Sequence, residues 1–377
     1  MLKIFNKISN KFNFFFSSLN SFKDFKGKKL KFVFFSEGKS YQKYSKFIID
    51  VLCEKYPNEV YYFSIDYEDK IYDQRVKNFF IDQLLIKYFF NNLTASYIFL
   101  TLTDLDNHIV KKNSKVDKYI YYFHSPISTT KSYTTRAFDN YDIIMCNANF
   151  QIEEIKAREK LNNLKKKYLI PTGYFYFDYL KERVNFNNNS NKILVAPSWN
   201  YNLKNFINEN FIELIEVLLN KNEKVIFRPH PEHYKRSRKI LEKIKNKFIN
   251  QNFEFDESIE NLSSMENSKC LITDNSGIAI EYVTVLKRPV LYFEEFDKIH
   301  NPEFKNYIDL KTIDDLYKKN FGYVFKKNES YQIDSIIDKS IEEFKNKIPI
   351  LEKFIKKNFS NYGETKKNFG NIIKKIF

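Results

Sequence analysis

Lys269–Phe293 reads KCLITDNSGIAIEYVTVLKRPVLYF, and this stretch decides the fold class. An apolar run, Cys270–Thr273, breaks at Asp274-Asn275-Ser276-Gly277. Ile278, Ala279, Tyr282, Val283 and Leu286 then recur at helical spacing, and Lys287-Arg288-Pro289 turns the chain into a second apolar run, Val290–Phe293. Strand, turn, helix and strand in that order form the repeating unit of a parallel α/β sheet. Asp274, Asn275 and Ser276 are all N-cap types, Asp274 being the expected cap, and Gly277 lets another group come close to the first turn. A helix that starts at a strand end presents unpaired N–H groups and a partial positive charge, so these four residues make a candidate phosphate seat. Glu281, one turn further in among Ile280, Tyr282 and Val283, needs a partner. A ribose hydroxyl pair would supply one, and so would a lysine or arginine.

The same unit recurs in both directions from this stretch. Upstream, strands are expected at Leu30–Phe35, Val60–Ser64, Ser96–Thr101, Tyr119–Phe123, Tyr141–Cys146 and Tyr168–Ile170, with helices at Tyr41–Lys55, Asp73–Phe90 and Asn149–Lys166. The polar stretch Asn185–Asn191 then marks a domain boundary. Beyond it, strands at Ile193–Ala196 and Val225–Phe227 alternate with helices at Phe206–Leu219 and Tyr234–Asn246. After Phe293 the pattern is less regular, with a short helix near Ile313–Lys318, a helix over Ser335–Phe359 interrupted by Pro349, and another over Glu364–Ile376. The expected organisation is a basic aromatic segment over 1–29, an α/β domain over 30–185, a second over 192–335, and terminal helices over 336–377 that could brace the first domain. Two such domains on one linker imply a cleft, with the chemistry on loops at the carboxyl ends of the strands.

A chain of 377 residues can hold two domains with real cores. Its net charge of +15 favours phosphates or an anionic membrane face. No finger, GXXG loop or basic arm accompanies that charge, so nucleic acid is not an expected partner. Cys53, Cys146 and Cys270 lie far apart in apolar runs and read as buried thiols of a reducing compartment. The five histidines have no zinc spacing, so no metal site is expected, although the reading leaves room for a loosely held magnesium ion. No window is long and apolar enough to span a bilayer. Lys3, Lys7, Lys11 and Lys23, interleaved with Phe5, Phe12 and Phe14–Phe16, suit a segment lying on anionic lipid or, alternatively, a helix packed on its own domain.

Most of the unusual residues fall at strand ends. His124-Ser125-Pro126 follows Tyr119–Phe123, and a histidine there can serve as a general base. Pro171-Thr172-Gly173 and Pro197-Ser198-Trp199 are tight turns in which Thr172 or Ser198 could donate to a phosphate. In Arg228-Pro229-His230-Pro231 the prolines hold the chain extended. Two-residue alternation would then aim Arg228 and His230 the same way, a guanidinium for two phosphate oxygens and an imidazole for a third or for a leaving oxygen. His233 reads as an exposed neighbour. Neither GxxxxGKS nor GxGxxG is present, which argues against a kinase or a dehydrogenase, and no Gly-x-Ser-x-Gly elbow supports a hydrolase.

The order HSP at His124, PTG at Pro171–Gly173, APSW at Ala196–Trp199, RPHP at Arg228–Pro231 and TDNSG with Glu281 and KRPVLYF resembles the CDP-glycerol glycerophosphotransferase family of teichoic-acid and capsule polymerases. The resemblance runs from about Lys31 to Phe293 and extends more loosely through the C-terminal helices. It implies two Rossmann-like domains of the GT-B kind, attachment to the cytoplasmic face of the membrane, and transfer of a polyol phosphate from a CDP-polyol to a glycan or lipid-linked acceptor. No tightly bound cofactor is implied. By the same resemblance His124 is the base, Arg228 and His230 hold the phosphates, and the Ser276/Glu281 helix holds the CDP portion. Three departures stand out: Ser125-Pro126 replaces the family's Gly-Thr, Tyr174-Phe175-Tyr176 replaces a basic residue, and Asp274-Asn275-Ser276-Gly277 replaces an acidic-aromatic-Ser-Ser element. A GT-B glycosyltransferase using a nucleotide sugar is the alternative enzyme, and a basic scaffold with a decayed nucleotide site is the non-enzymatic one.

Overall fold

The computed structural model describes residues 15–377 apart from 104, 108–109, 187–189, 200–206, 208, 250–251, 294–298 and 308. The expectations on Lys3, Lys7, Lys11, Phe5, Phe12 and Phe14 lie outside the described residues. The chain divides into two compact units, one running to His124 and adding Thr134–Tyr176 and Glu364–Phe377, the other comprising Ser125–Tyr133 and Phe177–Gly363.

The first unit opens with α1 (15–25). There follow β1 (Leu30–Ser36), α2 (Lys39–Lys55), β2 (Val60–Ser64), β3 (Val76–Phe80), α3 (Ile86–Asn92), β4 (Ala95–Leu100), β5 (Val116–Tyr122), β6 (Ile143–Cys146), α4 (Asn149–Leu161) and β7 (Tyr168–Pro171). The strands form one sheet in the order β3-β2-β1-β4-β5-β6-β7, with every adjacent pair parallel. Strands buried on both faces read as continuous apolar runs, and LKFVFFS of β1 does so. Phe32, Phe34, Ile48, Leu52 and Tyr62 form the centre of this core. On α1, Phe22 and Phe25 are buried and packed on Tyr88 and Phe63, with ring centroids 5.0 and 5.1 Å apart, while Phe16 is exposed. The aromatic face of α1 is therefore partly engaged with its own unit.

Next come α5 (Phe175–Arg183), β8 (Lys192–Val195), α6 (Glu209–Asn220), β9 (Lys224–Phe227), α7 (Pro231–Arg236), α8 (Arg238–Lys247) and β10 (Phe253–Phe255). They are followed by α9 (Leu262–Glu266), β11 (Ser268–Thr273), α10 (Gly277–Leu286), β12 (Val290–Phe293), α11 (Ile313–Phe321), β13 (Gly322–Phe325), α12 (Ile333–Asn358) and α13 (Thr365–Ile376). The second sheet runs β10-β9-β8-β11-β12-β13, again parallel throughout. Its core joins Ile193, Phe227, Ile272 and Leu291 to Phe211 and Leu218 of α6 and Ile337 of α12. The last helix belongs to the first unit, where Phe369 packs on Phe175 at 5.0 Å.

Four expectations about elements are corrected. Asp73–Phe90 is not one helix: Val76–Phe80 pairs with β2 as an edge strand, and Asp82 then caps a short turn through Leu84 N at 2.9 Å. Val and Phe favour a pleated edge over a helix. Tyr234–Asn246 is two helices, α7 and α8, which meet at Ser237. The region after Phe293 supplies a further strand, β13. Pro349 does not interrupt α12, because Phe344 and Leu351, buried on either side of it, hold both halves in place.

Candidate active site

In the second sheet the chain leaves β8 toward β9 on one side and returns to β11 on the other, so the crevice outside the carboxyl ends of β8 and β11 is the switch point of the fold. Ala196–Trp199 and Asp274–Gly277 flank it. Asp274 is buried and accepts hydrogen bonds from Ser198 N at 2.8 Å and Ser198 Oγ at 2.5 Å. Thr273 Oγ1 donates to the Ala196 carbonyl at 2.6 Å. His233 Nε2 lies 2.9 Å from the Ser198 carbonyl, which can only accept, so Nε2 carries the proton. His233 is thus buried and structural rather than an exposed neighbour. The Ser198 and Asp274 side chains, both expected at a ligand, clasp each other, and Thr172 Oγ1 donates to the Cys146 carbonyl at 3.1 Å.

That clasp corrects the expected cap. The N-cap of α10 is Ser276, with extended backbone (φ −107°, ψ 142°) and no capping bond from its own side chain. Asn275, Ser276 and Gly277 are all partly exposed, and the start of a helix is the end whose amides suit an anion. Gly277 does admit a close neighbour: a Cβ built there would lie 2.3 Å from Ser125 Oγ. Ser125 and the DNSG turn, both of the second unit, therefore meet. Further along the same segment, Ser128 N donates to Asp314 at 2.8 Å, Lys131 pairs with Asp315 at 2.8 Å, and Asn301 Nδ2 donates to the Thr130 carbonyl at 2.9 Å. These bonds seat Ser125–Tyr133 in the second unit. Glu281 is buried, with Asn261 Nδ2 3.3 Å from its carboxylate.

Arg228 and His230 do not share a direction. The Arg228 guanidinium turns to Asp256 just beyond β10, bonds its carboxylate and Ser258 Oγ, and donates to the carbonyls of Ser258 and Ile259 at 2.9 and 3.2 Å. Four bonds to its own unit make it a brace between the β9 and β10 loops. His230 is the N-cap of α7, and its Nδ1 accepts from Glu232 N at 3.2 Å. An amide N–H can only donate, so in the neutral ring the proton sits on Nε2, which makes that nitrogen a donor. Trp199 gathers three cation-capable groups: His230 at 6.1 Å, His300 at 6.2 Å and the Arg236 guanidinium over its ring at 5.2 Å.

In the first unit His124 follows β5, partly buried, beside Tyr41 and Tyr44 with ring centroids 5.4 and 6.1 Å away. Tyr174 OH donates to its carbonyl at 3.1 Å. Burial, reinforced by the charge of Lys43, lowers its pKa to about 4, so the ring is a neutral base at pH 7. Among the described residues, no cluster of three or more His, Cys, Asp or Glu is placed to hold a metal ion.

A family model for CDP-glycerol:poly(glycerophosphate) glycerophosphotransferase matches residues 15–361. The chain belongs to this family. No curated protein sequence matches it. Among solved structures, the wall teichoic acid polymerase TagF soaked with CDPG is similar with a TM-score of 0.60 at 16% identity, over 99% of this chain and 95% of that one. A second TagF structure gives 0.58 at 16% identity, over 96% and 92%. A putative UDP-N-acetylglucosamine 2-epimerase from Listeria monocytogenes gives 0.52 at 14% identity, over 92% and 96%. At these identities the likeness establishes the fold, two Rossmann-like domains of the GT-B kind.

For this glycerophosphotransferase-family chain, the sequence reading passed over Asp256, Ser258, His300 and Arg236. Asp256 could have been found had FEF been read as a strand, since the next residue then sits at a strand end beside Arg228. Trp199, the one tryptophan of the chain, was read only as part of a turn. The family's Gly-Thr is replaced by Ser125-Pro126, and the space Ser125 needs is provided by Gly277.

Proposed function

We propose that this enzyme transfers a polyol phosphate, glycerol phosphate or a close relative, from a CDP-activated donor to a hydroxyl of a glycan or lipid-linked acceptor in cell-surface polymer synthesis, releasing CMP. Membership of the glycerophosphotransferase family over residues 15–361 carries the reading. The second unit offers the donor phosphates the start of α10 at Ser276-Gly277 and the Nε2–H of His230. Asn275 and Glu281, on the same turn and helix, are assigned to the nucleoside portion, Glu281 from a buried position beside Asn261, and Arg228 supports the β9 loop through Asp256. His124 takes the proton from the acceptor hydroxyl as its oxygen attacks the phosphorus bearing the polyol and the bond from that phosphorus to the CMP oxygen breaks. Positioning and charge stabilisation of this kind supply most of what phosphoryl transfer requires. An anionic ligand beside His124 raises its proton affinity from the low value set by burial and Lys43, which favours its work as a base. The excess of basic residues suits a peripheral enzyme at the cytoplasmic face of an anionic membrane, and among the described residues no helix is long and apolar enough to cross one.

A panel of CDP-polyols and nucleotide sugars, assayed for released CMP, CDP and UDP with glycan and lipid-linked acceptors, tests the reading. CMP release with donor phosphate retained in the product supports it. Release of UDP or CDP with no phosphate in the product makes the chain a nucleotide-sugar glycosyltransferase. His124→Ala is expected to lower kcat by about a hundredfold or more with donor affinity intact, and unchanged turnover removes the base assignment.

A further inference from the structure

Three elements of the first unit converge on His124. From α2 come Tyr41, Lys43 and Tyr44, from the turn after β7 and the first residues of α5 come Tyr174 and Tyr176, and β5 leads into His124 itself. Tyr44 packs on Tyr176 at 5.3 Å and on Tyr174 at 6.4 Å, while Tyr41 stands edge-on to the His124 ring. Lys43 Nζ lies over the rings of Tyr44 and Tyr176, at 5.1 and 4.7 Å, and 3.4 Å from the Tyr176 hydroxyl. Tyr176 is fully buried, so the wall that holds the ammonium is rigid.

A lysine normally keeps its head in water and its stem mobile. Here the head is fixed between two aromatic faces, and much of its rotamer freedom is already lost in the folded state. A fixed ammonium beside a base works against proton uptake unless an anion joins them. With an anion present it becomes an anchor that needs no rearrangement to act. The anion-binding features assigned to the donor, the start of α10 and His230, belong to the other unit.

We infer that Lys43 is an acceptor-binding residue, holding a phosphate oxygen of the acceptor so that the neighbouring hydroxyl meets His124. The inference rests on the transferase reading and names the residue that would recognise the phosphate beside the terminal hydroxyl of a poly(glycerophosphate) acceptor, as the family's description has it. Tyr44 and Tyr176 position the ammonium.

The test uses the full chain with two synthetic acceptors, a disaccharide ending in glycerol phosphate and the same disaccharide ending in glycerol alone. Lys43→Met is expected to raise KM for the phosphorylated acceptor about tenfold or more, as loss of a charge-assisted hydrogen bond does. It should leave KM for the neutral acceptor and for the CDP-polyol donor unchanged, and Lys43→Arg should recover most of the loss. A structural role would instead affect both acceptors alike. Equal effects on the two acceptors, or a rise in donor KM matching the acceptor's, overturn the inference while the transferase reading stands. Failure of the wild-type chain to transfer from any CDP-polyol overturns both.

Discussion

Replacing Gly277 with alanine tests the contact that seats Ser125 on the helix start. The added Cβ would lie 2.3 Å from Ser125 Oγ, against 3.4 Å from Ile127 Cγ2 and 3.6 Å from Ser125 Cβ. Only the first distance is intolerable, since ordinary carbon contacts fall near 3.5–4.0 Å. If the hydroxyl swings to another rotamer, the cost is the bonding it gives up, about 1 kcal/mol. If the loop shifts instead, overpacking costs about 1–3 kcal/mol. Alanine returns part of the roughly 1 kcal/mol by which it exceeds glycine as a helix former, reduced because position 277 is the first of the helix. Gly277→Ala should therefore destabilise the chain by about 1–2 kcal/mol in urea melts and weaken CDP-polyol binding by calorimetry. Ser125→Ala removes the offending oxygen and leaves only ordinary contacts, so the double variant should regain stability, a coupling of about 1–2 kcal/mol. Additive effects, with Gly277→Ala as stable as the wild type, would refute the seating of Ser125 on α10.

Arg228→Ala should act first on stability. It leaves the half-buried Asp256 carboxylate without its cation, though with its Ser258 and Ser264 hydroxyls, and breaking such a pair costs up to about 3 kcal/mol. A urea midpoint equal to that of the wild type, with donor binding lost, would return Arg228 to the phosphates. Burial opposes ionisation of Asp256, but the Ser258 and Ser264 hydroxyls together with Arg228 prevail and hold its carboxyl below the usual range. The stability this confers is present at neutral pH and is lost as pH falls through that lowered value, so Arg228→Ala should flatten the acid limb of the stability profile. For His124, a pKa near 4 against an unfolded value near 6.5 means that the unfolded chain protonates first. The free protein should lose stability between about pH 6.5 and 4, and the acid limb of kcat/KM should lie well below 6.5. Imidazole proton resonances followed through a titration check this directly. Lys43→Met should move the titration upward, whereas an unmoved titration would show that burial alone sets it.

The sequence disclosed the fold through local pattern: apolar runs that are buried on both faces, helices between them, and turn residues at every exit from a strand. It failed where tertiary pairing outweighed propensity. Asp73–Phe90 has helix-like spacing, yet its first part pairs with β2, and no local rule reports a vacant sheet edge. The site divides along the same line. Gly277 was legible because a missing Cβ announces a close neighbour, but the identity of that neighbour, Ser125, depends on how a loop from the first sheet threads into the second unit. Arg228 and His230 looked alike in a strand-like segment. What parts them is a carboxylate just beyond β10 and the first amides of α7, partners set by the fold rather than by the segment itself. Spacing along the chain thus located the loops that carry polar chemistry. Which side chain braces a loop and which faces a ligand was decided by what the neighbouring strands placed opposite it, and the Arg228 and Gly277 variants probe one case of each.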